Sequence, residues 1–245
     1  MRRTLLVAGR VLRQLRRERR LLGLSIVAPL VIVFLLKLFL DTMPPDLSRA
    51  RYAVPVAAFL VHFLAFLLCA IVLVQERTAG TLERMFVNGV TRSQVVGGYL
   101  LGYLGLATLQ TVAALTEVLL LFRLSYSLGT LVVLFVVVWL LAVASVMLGV
   151  FVSTFARSEA QVFPFIPMVI VPSVFLSGLL LDPDLLPTWA SLLGLLLPLR
   201  YANNVIQEVI MPGGSLGAVW PNLLVLAGYS IILWLLASRT LTEVD

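Results

Sequence analysis

The chain has 245 residues, of which 61% are hydrophobic and 12% charged, with a formal net charge of +6 and a mean hydropathy of +1.07. A water-soluble domain is about half apolar and about a quarter charged, so a soluble fold is excluded and the solvent is lipid. The only cysteine, Cys69, lies in an apolar run, which excludes an internal disulfide.

Arginine crowds the N-terminus at Arg2, Arg3, Arg10, Arg13, Arg16, Arg17, Arg19 and Arg20. Such a run can bind nucleic acid. Directly before a long apolar stretch it instead sets topology and touches anionic lipid, so no nucleic-acid partner is expected. Within residues 1–20, Leu5, Ala8, Val11, Leu12 and Leu15 share one helical face, and Arg10, Arg13, Arg17 and Arg20 share the other. The spacing predicts an amphipathic helix in the inner membrane interface, arginines toward lipid phosphates. The competing reading is a disordered basic tail.

A span needs about 20 mostly apolar residues at about 1.5 Å each. Six stretches of residues 21–245 qualify as one transmembrane domain: 21–40, 53–74, 95–122, 128–153, 162–181 and 219–237. The first is too long for a signal-peptide core and reads as a retained span. Six spans put the N-terminal arginines with Arg77, Arg84, Arg92, Arg157 and Arg239 on one side, and only Arg49, Arg51, Arg123 and Arg200 on the other. The richer side is cytoplasmic, so both termini are expected there.

Polar groups inside the spans are few. Lys37 and Glu117 fall near the outer ends of the first and third spans, where they either pair or snorkel separately to the interface; proton or ion coupling through Glu117 is a third reading. His62 either lines a path with Phe59, Phe63 and Phe66 or hydrogen-bonds a neighbouring helix. Gly98 and Gly102 form a G-x-x-x-G that lets another helix approach closely.

Between the second and third spans, residues 75–92 are too charged for lipid. Leu82, Met85 and Phe86 fall at i, i+3 and i+4, and Glu76, Arg77, Glu83 and Arg84 ring that face. A compact amphipathic helix at the mouth of a bundle is what a soluble motor needs to push on. The motor itself is not here. A P-loop needs a lysine after its glycines, and the only lysine sits in FLLKLFL. There is no HExxH and there are no paired metal ligands, so neither a catalytic site nor a bound metal is expected. Gly213–Gly217 matches G-x-S-x-G but follows no strand, and reads as a turn. In residues 182–216 the run 192–197 is apolar but too short to span; flanked by Pro187 and Pro198, it predicts a re-entrant or surface-lying outer hairpin.

With these residues laid out, the chain resembles the membrane subunit of type-2 ABC exporters (ABC-2 permeases) over nearly its whole length. Glu76-Arg77, Gly80-Thr81-Leu82-Glu83-Arg84 and Val90-Thr91-Arg92 are similar to the family's E-R…G-T-L-E-R…P-V-x-R stretch. Leu176-Ser177-Gly178 and Leu197-Pro198-Leu199-Arg200-Tyr201-Ala202 are similar to its L-S-G…N-P-L-x-Y-A stretch. Gly89 stands where the family has proline, which predicts a looser exit from the coupling segment. Leu197 replaces asparagine but leaves Pro198 and Tyr201 in place.

The resemblance implies an all-α fold with an interfacial helix, six spans, a coupling helix and an outer hairpin. It implies two permease units, a homodimer being expected, each docked on a separate ATP-binding cassette subunit that holds the ATP and magnesium. The helix around Gly80–Val87 would dock that subunit, with Leu82, Met85 and Phe86 as anchors and Glu83 and Arg84 at the rim; the inner loop 154–161, with Arg157 and Glu159, would be a second contact, and Glu76 and Arg92 complete the coupling set. By position alone, the second and fifth spans would line the path with Phe59, His62, Phe66, Phe163, Phe165 and Met168. The expected function is ATP-driven export of a hydrophobic or amphipathic drug, lipid or glycan. The arginine-for-lysine bias points to a bacterial or archaeal cell membrane. Rivals are an ion-driven secondary carrier and a non-transporting membrane assembly factor.

Overall fold

The computed structural model describes residues 2–43, 49–211, 214–215 and 217–241, and for residues 19–21 the backbone alone. Among these residues all regular structure is helical: α1 (Arg2–Arg17), α2 (Arg19–Asp41), α3 (Ala50–Thr78), α4 (Thr81–Val87), α5 (Arg92–Leu121), α6 (Leu128–Ser153), α7 (Glu159–Val162), α8 (Phe165–Leu176), a 3-10 turn (Pro183–Leu185), α9 (Thr188–Gly194), α10 (Pro198–Ile210) and α11 (Trp220–Thr240). Six stretches are long and apolar enough to cross a bilayer: Leu22–Asp41, Ala50–Thr78, Arg92–Leu121, Leu128–Ser153, Glu159–Leu176 and Trp220–Thr240. The fifth stops short of residue 181 because Gly178 turns the chain at φ 85°, a conformation that only glycine adopts without steric cost.

α3 and α6 pack along each other as the central pair, with α5, α10 and α11 gathered on α6. Gly149 makes the central contact possible. A Cβ there would lie 2.5 Å from the carbonyl oxygen of Phe66 and 3.1 Å from Cys69 Cβ. Phe66, Cys69, Val146 and Val150 are buried around that approach. At 29 residues, α3 is about 44 Å long, longer than a hydrocarbon core of about 30 Å, so its charged last turn projects beyond the bundle.

α1 runs parallel to the start of α5. Thr4 reaches Gly97, Val7 reaches Gly98, Val11 reaches Gly102 and Leu12 reaches Gly105. The partner of the G-x-x-x-G is therefore this basic helix. The buried stripe is Val7, Ala8, Val11 and Leu15, whereas the expected apolar positions Leu5 and Leu12 are exposed. The glycine channel accepts β-branched knobs and turns the helix to suit them. Arg19 and Arg20, counted with the basic set, have side chains outside the described residues.

Lys37 and Glu117 do not pair. Lys37 Nζ donates to Asp41 Oδ2 at 2.5 Å, one turn along α2, and Asp41 also meets Arg49 at 2.9 Å. Glu117 Oε2 is buried without a hydrogen-bond partner among the described residues. A nearer carboxylate on its own helix takes the lysine before the third span can.

Candidate functional site

The charged segment after α3 folds into two glycine-punctuated turns around α4. Gly80 sits at φ 66° and Gly89 at φ 75°. At the second turn, Gly89 N–H donates to Phe86 O (2.8 Å) and Val90 N–H to Met85 O (3.0 Å). These two bonds are the Schellman closure of a helix end, and Met85 and Val90 both pack against the core beside it. Gly89 thus closes the exit that its missing proline was expected to loosen, since proline is locked near φ −65° and cannot adopt this turn. Thr91 then caps α5 in a capping box with Gln94.

The side chains of the E-R…G-T-L-E-R stretch point in opposite directions. Glu76 is buried and accepts from Arg10 Nη2 of α1 at 2.5 Å; Arg10 Nη1 also touches Met85 Sδ at 3.5 Å. Arg77 turns the other way and donates to Ser153 O (3.2 Å) and Ala156 O (2.8 Å). It supplies a donor to the Ser153 carbonyl, left without an intrahelical partner at the end of α6, and to the turn that follows at Ala156. Arg3 donates to the Gly89 carbonyl. The end of α3 and the α4 turn are thereby tied to α1 and α6 at once.

Leu82 is 3% exposed and belongs to the core, with Met85 and Phe86 half-buried against it. The apolar face of α4 therefore seats on its own bundle. What faces outward is Glu83, Arg84, Val87 and Asn88, with Val87 88% exposed. Thr81 and Arg92 are half-buried at the two helix starts, and Arg157 and Glu159 are exposed in the turn that Arg77 braces. Val87 and Asn88 were not among the site residues legible in the pattern. Their signal, a lone apolar residue opposite the i, i+3, i+4 face, is weak.

The six path positions do not share one surface. His62 and Phe66 are fully enclosed, Phe59 and Phe165 are half-buried, and Phe163 and Met168 are 61% and 71% exposed on the outside of the bundle. Phe59 stacks on Phe63 at 6.4 Å. His62 Nδ1 lies 2.6 Å from Ser145 Oγ, whose own proton goes to Leu141 O at 2.5 Å. A hydroxyl has one proton, so Nδ1–H is the donor and Nε2 is left without a partner among the described residues. The helix-bonding reading of His62 holds here.

At the opposite end of the bundle, the L-S-G and L-P-L-R-Y-A stretches meet. Asn203 Nδ2 donates to Ser177 O (3.1 Å) and contacts Ser177 Oγ (3.2 Å), joining L-S-G to the helix that Pro198 starts. Arg200 donates to Ser191 O (2.6 Å), and Tyr201 Oη to Leu195 O (2.8 Å). The apolar run resolves into α9 and a turn, followed by the amphipathic α10. Of the G-x-S-x-G string, Gly213 and Leu216 lie outside the described residues. Ser215 N–H donates to Glu208 Oε1 at 3.0 Å, a turn contact.

An all-helical bundle with six bilayer-length helices, a short helix between the second and third, and no strand among its described residues defines a multi-pass membrane protein. The family profile described as ABC-2 type transporter matches residues 2–211, and the chain belongs to that family. It is 28% identical over 204 residues to ABC transporter G family member 20 of Dictyostelium discoideum, covering 82% of this chain and 28% of the relative. Two Escherichia coli K12 proteins are also similar. "Probable multidrug ABC transporter permease YbhR" is 22% identical over 180 residues (73% of this chain, 49% of the relative), and "Probable multidrug ABC transporter permease YbhS" is 23% identical over 205 residues (80% and 54%). The chain spans about half or less of the length of these relatives.

Proposed function

We propose that the chain is the permease subunit of an ATP-driven exporter that moves a hydrophobic or amphipathic drug, lipid or glycan outward. The observation that carries this reading is the seating of α4. Its apolar face is locked into the bundle, and the preceding turn is bonded to α1 through Glu76 and to α6 through Arg77. A push on its outer face moves spans, not a loop. That face, Glu83, Arg84, Val87 and Asn88, docks an ATP-binding cassette subunit, with Arg157 and Glu159 beside it; Leu82, Met85 and Phe86 transmit the push from inside. ATP and magnesium sit on the partner. A second copy of this chain pairs with it. Support for pairing comes from the α7–α8 span Glu159–Leu176, the least enclosed of the six, whose Phe163 and Met168 face away from their own bundle. The path then forms between two chains, which accounts for path residues that one chain does not gather. The protein lies in the cell membrane of a bacterium or archaeon with both termini cytoplasmic, α1 at the inner interface and α9–α10 as the outer hairpin.

The test is affinity purification of the tagged chain from its native membrane, with ATPase activity measured on the product. Wild type is expected to carry an ATP-binding subunit, and Glu83→Arg/Val87→Asp to lose it while keeping its own fold. Recovery of the wild-type chain without ATPase activity would remove the motor and favour the ion-driven carrier.

A further inference from the structure

Between α1 and the end of α3 lies a cavity of about 430 Å³ lined by Arg10, Arg13, Gln14, Arg17, Glu18 and Glu76. Ligand-binding cavities run from about 300 to 1,000 Å³, so the space suffices for a small charged group. On α1 the lining residues fall at i, i+3, i+4 and i+7, a single flank of the helix. That flank differs from the stripe buried on α5. The lining holds three guanidiniums against the two carboxylates Glu18 and Glu76, a net excess of one positive charge. Arg10 is committed to Glu76 at 2.5 Å, while Arg13 and Arg17 have no carboxylate within ion-pair distance among the described residues. Two guanidinium forks one turn apart, with the Gln14 amide between them, match the oxygens of a phosphoryl group.

The place selects the source of that phosphoryl group. The cavity adjoins the last turn of α3, where the apolar span gives way to the charged segment. Lipid headgroups occupy that level of a bilayer, and basic recesses between helices on this side hold anionic ones. We propose that this cavity is a binding site for the phosphoryl headgroup of an anionic phospholipid, held by Arg13, Gln14 and Arg17. The proposal deepens the reading of α1 as a lipid-facing helix and is independent of the transport reading. Because Arg10 both lines the cavity and holds Glu76 and Met85, the site adjoins the lever itself.

The test uses native mass spectrometry of the full chain, exchanged into micelles of equal phosphatidylglycerol and phosphatidylcholine with identical acyl chains. The expected result is retention of phosphatidylglycerol over phosphatidylcholine by about tenfold. Arg13→Gln/Arg17→Gln should abolish that preference, Arg13→Lys/Arg17→Lys should restore part of it, and Arg2→Gln/Arg16→Gln, off the cavity, should leave it intact. Equal loss in both glutamine pairs would mean only diffuse attraction to the basic helix and would overturn the site. Displacement of the lipid by millimolar inorganic phosphate would overturn the lipid assignment in favour of a free anion.

Discussion

Single residues decide how closely these helices approach. At Gly98 and Gly102 an added Cβ would lie 2.5 and 2.6 Å from Val7 and Val11, so any larger residue must push α1 off α5. Gly102→Leu should cost about 1–3 kcal/mol, as overpacking does, with a lowered melting temperature in detergent; adding Val11→Ala should recover most of the loss. Lys37 and Glu117 make a contrasting case. Their depths in the sequence allowed either a pair or separate snorkelling, and Lys37 bonds Asp41 instead of Glu117. Neutralising both should therefore shift the melting temperature by the sum of the single effects, since groups without a shared partner add; a coupling term as large as either single effect would restore the pair. Depth along a helix was legible from residue spacing. The nearer competitor was legible too, at i+4, but spacing alone does not rank it.

At the scale of the element, the exit from α4 turns on Gly89. Its φ of 75° and the two bonds that follow make a closed helix end, so Gly89→Pro, the residue the family resemblance would put there, should destabilise by more than about 1 kcal/mol. Proteolysis between α4 and α5 should speed up in that variant; unchanged cleavage would contradict the closed turn. The boundaries of α4 and its amphipathic face were readable from Leu82, Met85 and Phe86. Which way that face points was not. A small apolar face suits a partner's groove and its own bundle equally, and the direction depends on Arg10 meeting Glu76 and Arg77 meeting the end of α6. Those contacts join residues 66 to 79 positions apart, beyond the reach of local pattern. The same holds at the other end of the bundle, where Pro198 and Tyr201 were recognisable but Asn203, which binds Ser177, carries no periodic signal.

For the whole molecule, the six apolar runs and their asymmetric arginines were sufficient to set the number of spans, because lipid enforces length and apolarity on each one. Packing order was not legible, since every face of a span is apolar whether it meets lipid or protein. The α3–α6 centre rests on Gly149, one small residue among many. Topology is directly checkable. After Cys69→Ala, a single cysteine at Asn88 should react with an impermeant thiol reagent only from the cytoplasmic side, and one at Ser127 only from outside. The reverse would invert the placement of both termini.

The central claim is that α4 offers its outer face to an ATP-binding subunit while its apolar face stays in the bundle. It is tested most directly by placing the photo-crosslinker benzoylphenylalanine at Val87 or at Leu82 in cells and irradiating the intact membrane. The account predicts an adduct to an ATP-binding chain from Val87 and only intramolecular adducts from Leu82. Equal capture from both positions, or capture from Leu82 alone, would contradict it.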